Sequence, residues 1–141
     1  MLKRMTMQNC LKSYRSPLEK FTAEKLLENN ISFLYEPKHI LQEKFVFEGK
    51  VYEGKKGSEM KSSSPHVRAI TYSPDFVCPN YQWILECKGH RRETFNIKWK
   101  MFKNLFNGKV PLMLMPRNRA QVLLCIDHII NLQNGIETVN S

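Results

Sequence analysis

Acidic residues are scarce in this chain. Thirteen Asp and Glu stand against 22 Lys and Arg, a formal net charge of +9 over 141 residues. That balance favours polyanionic partners, through phosphate neutralisation and counterion release. Cysteine is sparse too, with only Cys10, Cys78, Cys87 and Cys125. Their scattered spacing matches no zinc pattern; Cys78, Cys87 and Cys125 lie in apolar stretches and are expected to be reduced packing residues, a structural disulfide being disfavoured by the expected compartment. No apolar run approaches the ~18 residues that a membrane-spanning helix needs. The opening residues lack the apolar core of a signal peptide, so a cytoplasmic protein is expected. No internal repeat is present.

What remains reads as a single domain over residues 14–135, long enough to bury a core. A flexible basic arm is expected at 1–13 and a frayed tail at 136–141. Ser16-Pro17-Leu18-Glu19 opens a helix: Ser16 fits the N-cap, Pro17 the first turn, and Glu19 lies three residues after the cap. The helix should run to about Glu28 and end at Asn29-Asn30. Residues 31–36, rich in aromatic and β-branched side chains, read as a strand. Residues 42–47 and 50–52, separated by Glu48-Gly49, look like a hairpin or two edge pieces. The Gly, Ser and Lys content of 54–66 predicts a mobile loop. Residues 67–77 read as a strand interrupted near Pro74, and 83–88 as its apolar partner. Phe95, Trp99, Phe102 and Phe106 mark an amphipathic helix over 90–107. A short apolar strand at 109–115 and a helix at 118–133, with Val122, Ile126 and Ile129 inward, complete an α/β fold with a central mixed sheet flanked by helices.

The chemistry concentrates in residues 71–89. Two short strands there are joined by a tight turn at Pro79-Asn80. Glu86 and Lys88, two apart on a strand, project to one face, and hairpin pairing brings Asp75 alongside Glu86. Two carboxylates that close repel unless a proton or cation lies between them. Hard oxygen ligands suit Mg²⁺ or Mn²⁺. A bound cation of that kind polarises a phosphoryl oxygen and lowers the pKa of an attacking water, and Lys88 supplies charge to steady the developing anion. The backbone carbonyl of Cys87 is a further candidate ligand, and Glu19 a candidate for a second metal position. Against this, Glu86 and Lys88 are also compatible with a plain surface ion pair. Glu19 is compatible with a capping box on Ser16. Its helical neighbours Thr22, Ala23 and Leu26 suit a face packed on a sheet, with the carboxylate at its leading edge.

Three blocks carry a resemblance. They are Tyr14-Arg-Ser-Pro-Leu-Glu19, then Ile31-Ser-Phe-Leu-Tyr-Glu36, then Tyr72-Ser-Pro-Asp-Phe-Val-Cys-Pro-Asn80 with Glu86-Cys-Lys-Gly89. Together they resemble the PD-(D/E)xK nucleases and, more narrowly, the phage endonuclease I family of Holliday-junction resolvases from T-seven-like phages. The similarity spans about residues 13–105. It implies a restriction-endonuclease-like core and a Mg²⁺-dependent active site of Glu19, Asp75, Glu86 and Lys88. It also implies a phosphate contact for Arg15, and a homodimer that exchanges elements so that each site draws on both chains. The inserted Lys/Ser/Gly stretch and the chain after about residue 105 depart from that pattern.

The expectation is therefore a metal-dependent DNA endonuclease selective for branched DNA. Arg15, Lys55, Lys56, Arg91, Arg92, Lys100 and Lys103 would lie along backbone phosphates, which position a substrate without reading its bases. The alternatives are a nuclease of linear duplex DNA and a non-catalytic DNA-binding protein on a nuclease-like core.

Overall fold

A computed structural model describes residues 14–57, 59–89 and 91–135. The basic arm expected at 1–13 and the tail expected at 136–141 lie outside the described residues. The first helix, α1 (Pro17–Glu28), starts and stops on local chemistry. Ser16 sits in extended backbone and its Oγ accepts the Glu19 N–H, while Pro17 takes the first helical position. At the other end Asn30 adopts the left-handed conformation (φ 56°). Its N–H donates to the Leu27 carbonyl, and the Ile31 N–H donates to Leu26. This is a Schellman closure, with buried Leu26 and Ile31 as its apolar partners.

The chain divides into two compact units, one holding residues up to Lys38 and from Ser73 onward, the other His39–Tyr72. The first unit contains a four-stranded mixed sheet in the order β1 (Leu34–Tyr35), β8 (Phe76–Val77), β9 (Trp83–Leu85), β10 (Leu112–Leu114). β1, β8 and β9 run antiparallel to their neighbours in turn, and β10 lies parallel to β9. The parallel pair needs a crossover, which is α2 (Glu93–Phe106). A last helix, α3 (Arg119–Gln133), starts at Asn118, whose side chain accepts the Gln121 N–H.

β9 is buried at every residue, as a central strand covered on both faces must be. Trp83, Leu85 and Cys87 join Ala23 and Leu26 of α1 and Cys125, Ile126 and Ile129 of α3 in one core cluster. Each large side chain removed from water there contributes about 2 kcal/mol. On alternation Ile84, Glu86 and Lys88 belong to the opposite face, where α2 lies. Phe95, near its start, sits under the Lys88 ammonium at 4.5 Å, and Phe106, at its end, stacks on Tyr81 at 5.6 Å. Cys78, Cys87 and Cys125 are buried free thiols, as expected. Among the described residues no helix is long and apolar enough to cross a membrane.

The second unit decides between the two expected arrangements of 42–47 and 50–52, excluding the hairpin and leaving separate strand pieces. Residues 42–47 and 50–52 do not pair with one another. They lie along one arm of an antiparallel ribbon: β2 (His39–Gln42) pairs with β7 (Ile70–Tyr72), β3 (Phe45–Val46) with β6 (His66–Val67), and β4 (Val51–Gly54) with β5 (Met60–Ser63). The stretch 54–66, expected as a mobile loop, thus contains β5 with the last residue of β4 and the first of β6. Cross-strand pairing overrides weak β-propensity here: Ser62 faces Tyr52, and Lys61 lies directly opposite Glu53. Past β4 the Lys55 N–H donates to the Glu59 carbonyl, which closes the end of the ribbon.

Candidate active site

The expected hairpin forms, with Phe76 opposite Leu85 and Val77 opposite Ile84. Asp75, one residue before β8, therefore comes level with Glu86, one residue after β9. Main-chain bonds lock the two carboxylates in place. The Asp75 N–H donates to Glu86 Oε2 at 3.1 Å, and the Cys87 N–H donates to Asp75 Oδ2 at 2.8 Å. In extended chain a residue's carbonyl leaves on the same side as its N–H, so the Cys87 carbonyl is aligned toward Asp75 as well. The flanking amides of Glu86 and Lys88 point the other way, onto the carbonyls of Leu114 at the end of β10 and Pro116 just past it. This alternation fixes which groups face the site.

Glu19 arrives from α1. Its backbone is capped by Ser16, but its carboxylate does not close a capping box on the Ser16 amide. It accepts instead from the Tyr35 phenol, Oε1 at 2.7 Å, and from the Ser16 hydroxyl, Oε2 at 3.1 Å. Cap and site carboxylate are thus both present, divided between main chain and side chain. Below Glu19, Thr22 donates its one hydroxyl proton to the Leu18 carbonyl. The Cys87 thiol, 3.3 Å from the Thr22 oxygen, is accordingly the donor in that contact. It ties α1 to the strand end that carries Glu86 and Lys88.

A further carboxylate stands here that the sequence reading passed over. One oxygen each from Glu19, Glu36 and Asp75 lies within 4.8 Å of the others. Glu36 ends the run after β1 in a left-handed conformation (φ 51°), directly before the buried Pro37. Its N–H donates to the Asp75 carbonyl, and its Oε1 is ion-paired with Arg15, 3.0 Å from Nε. An acidic residue closing an aromatic strand just ahead of a proline was the available signal. Tyr35, the donor to Glu19, was likewise passed over.

Charge crowding marks the centre. Burial, then the Glu86 carboxylate, then Glu19 push the Asp75 carboxyl up to about 9, against the opposing pull of the Cys87 amide and Lys88. Burial and the bond to Glu19 push the Tyr35 phenol upward, which keeps it a donor. Burial also pushes the Cys87 thiol upward and keeps it protonated. Lys88 places its ammonium 3.6 Å from Glu86 Oε1, above the Phe95 ring.

The grouping refines the expected metal set. Glu19 and Asp75 belong to the three-carboxylate cluster with Glu36. Glu86, expected as a ligand, is engaged with the Asp75 amide and Lys88. Of the expected DNA contacts, Arg15 lies at the site on Glu36. Arg91 and Arg92 are exposed at the start of α2, where Arg92 occupies the N-cap without a side-chain cap bond. Lys100 and Lys103 are exposed on α2, Lys103 lying 6.0 Å from the Trp99 ring. Lys55 and Lys56 are exposed at the ribbon tip. Among protein-family models, curated proteins and solved structures, none matches this chain.

Proposed function

We propose that this protein is a Mg²⁺-dependent DNA endonuclease with a PD-(D/E)xK-type centre, directed to branched DNA. The observation that carries the reading is the convergence of Glu19, Glu36 and Asp75, with Glu86 and Lys88 locked beside them. The donor set fits a hard divalent cation: three carboxylate oxygens within 4.8 Å, in surroundings that hold Asp75 protonated until a cation replaces the proton. Glu19, Glu36 and Asp75 would hold the ion, with the Cys87 carbonyl as the further candidate. When bound, the ion supplies phosphoryl polarisation and a water of lowered pKa.

The chain's own groups do the rest. Tyr35 and Ser16 fix the two oxygens of Glu19. The Cys87 amide fixes Asp75. Glu86 holds Lys88 at the cluster edge, where its ammonium can steady negative charge developing on the phosphate. The net charge of +9 and the exposed Lys and Arg residues supply a sequence-independent grip on phosphates. Arg92 at a helix N-terminus is unfavourable to the helix dipole, a placement that suits phosphate contact better than helix stability. The preference for junctions rests on the three-block resemblance.

The test is cleavage of labelled four-way junctions and matched linear duplexes, with Mg²⁺ or with EDTA, by wild type, Glu86→Gln and Lys88→Ala. Mg²⁺-dependent cutting of the junction, lost in both variants, is expected. Equal cutting of both substrates would remove the junction preference. Metal-independent binding without cutting would turn the reading into a DNA-binding protein on a nuclease-like core.

A further inference from the structure

Helix α1 has two working faces. Glu19, Thr22, Ala23 and Leu26 are buried toward the sheet and the carboxylates. Pro17, Lys20, Phe21 and Glu24, also spaced by three and four, lie on the opposite side. That second face borders a cavity of about 540 Å³, whose lining includes Tyr14, Arg15, Lys20, Phe21, Glu24 and Arg119. Three cations and one carboxylate surround it. Arg119 reaches it from α3 and lies 4.9 Å from the Phe21 ring centre, and Lys25 lies 5.4 Å from the same ring. Arg15 belongs to both sites, since its Nε is bonded to Glu36 of the carboxylate cluster.

We propose that this cavity is a phosphate subsite, holding a backbone phosphate of the strand that is cut at the carboxylate centre, close to the cut linkage. The inference deepens the nuclease reading and rests on it. The chemistry is that of a phosphate oxyanion. Arg15 and Arg119 offer planar guanidinium donors that match its oxygens, Lys20 offers a mobile ammonium, and the N-terminal end of α1 adds a favourable dipole. Phe21 and Tyr14 give the apolar wall on which a sugar or base can rest. Arg119, on Phe21, has its aromatic partner already in place. Arg15, bonded to Glu36 and lining the cavity, couples the filling of one site to the charge of the other.

The full-length protein is titrated with a labelled four-way junction over a salt series, with Ca²⁺ replacing Mg²⁺. Wild type is compared with Lys20→Ala, Arg119→Gln and the double variant, Gln retaining a polar stem over Phe21. The double variant is expected to lose about tenfold in affinity and to flatten the salt dependence by about two ions, one per cation removed. A methylphosphonate scan on wild type should reveal one neutralised linkage, close to the cut linkage but distinct from it, that weakens binding. The same linkage should be silent in the double variant. A strand break there carrying a 5′-phosphate or a 5′-hydroxyl tells a terminal phosphate from an internal diester. Equal affinities and slopes for wild type and double variant, or a methylphosphonate profile that the double variant leaves unaltered, would overturn the subsite. Failure of the nuclease reading looks different: wild type would not cut with Mg²⁺, yet the binding differences would persist.

Discussion

At Glu36 the backbone adopts a left-handed conformation immediately before a proline, a state that costs a non-glycine residue about 1–3 kcal/mol. The ion pair with Arg15 is a small return, because the arginine side chain is 76% exposed and exposed pairs contribute little. The strain is better understood as the cost of delivering a carboxylate to Asp75 and Glu19. Glu36→Asn, a residue that tolerates this conformation, is therefore expected to melt at or above the wild-type temperature. It should cut about 100-fold more slowly, the upper range for residues supporting a metal site. Calorimetry and single-turnover cleavage check the two halves.

Asp75 follows the same logic. Burial and the neighbouring Glu86 and Glu19 carboxylates push its carboxyl upward, which favours the protonated form in the absence of a cation. Asp75→Asn preserves an acceptor for the Cys87 amide and removes the proton uptake that folding demands of a carboxyl raised above its unfolded range. In EDTA it should raise the melting temperature by roughly 4 °C, about 1 kcal/mol for a domain of this size, and it should abolish the upward shift that Mg²⁺ gives wild type. Tyr35→Phe removes one donor to Glu19 and should lower metal affinity about tenfold, measured by titration with Mn²⁺. An unchanged affinity would mean that Tyr35 only packs.

Among the elements, those with local signals were legible in advance. The Ser16–Pro17 start and Asn29–Asn30 end of α1, the Phe95–Phe106 stripe of α2, and the Asn118 start of α3 all depend on neighbours within four residues. The hairpin that sets Asp75 level with Glu86, 11 residues on, was legible from the turn residues Pro79-Asn80 between two apolar runs. The His39–Tyr72 ribbon was not. Its pairs join residues up to 33 apart, His39 to Tyr72, and composition alone made one arm look like a loop. Glu36 escaped because its role depends on β1 pairing with β8 across the sheet, which no local pattern encodes. The capping element yields its own test. Ser16→Ala removes both the cap and a donor to Glu19, and should cost about 1 kcal/mol while also weakening Mn²⁺ binding. A loss of stability with unchanged metal affinity would confine Ser16 to the cap.

For the molecule as a whole, the described chain brings its own Glu19 to its own Asp75, whereas the resemblance implies sites shared between subunits. Mixing inactive Glu19→Gln with inactive Asp75→Asn protein separates the two arrangements. Own-chain assembly predicts no recovery of cutting, and shared sites predict recovery through mixed dimers. The most direct measurement of the central claim is a Mn²⁺ titration followed by electron paramagnetic resonance on wild type, Glu19→Gln, Glu36→Asn, Asp75→Asn and Lys88→Ala. The three-carboxylate centre predicts tight Mn²⁺ binding by wild type and Lys88→Ala, and its loss in each of the other three. Wild type that binds no Mn²⁺, or carboxylate variants that bind it as wild type does, would contradict the account.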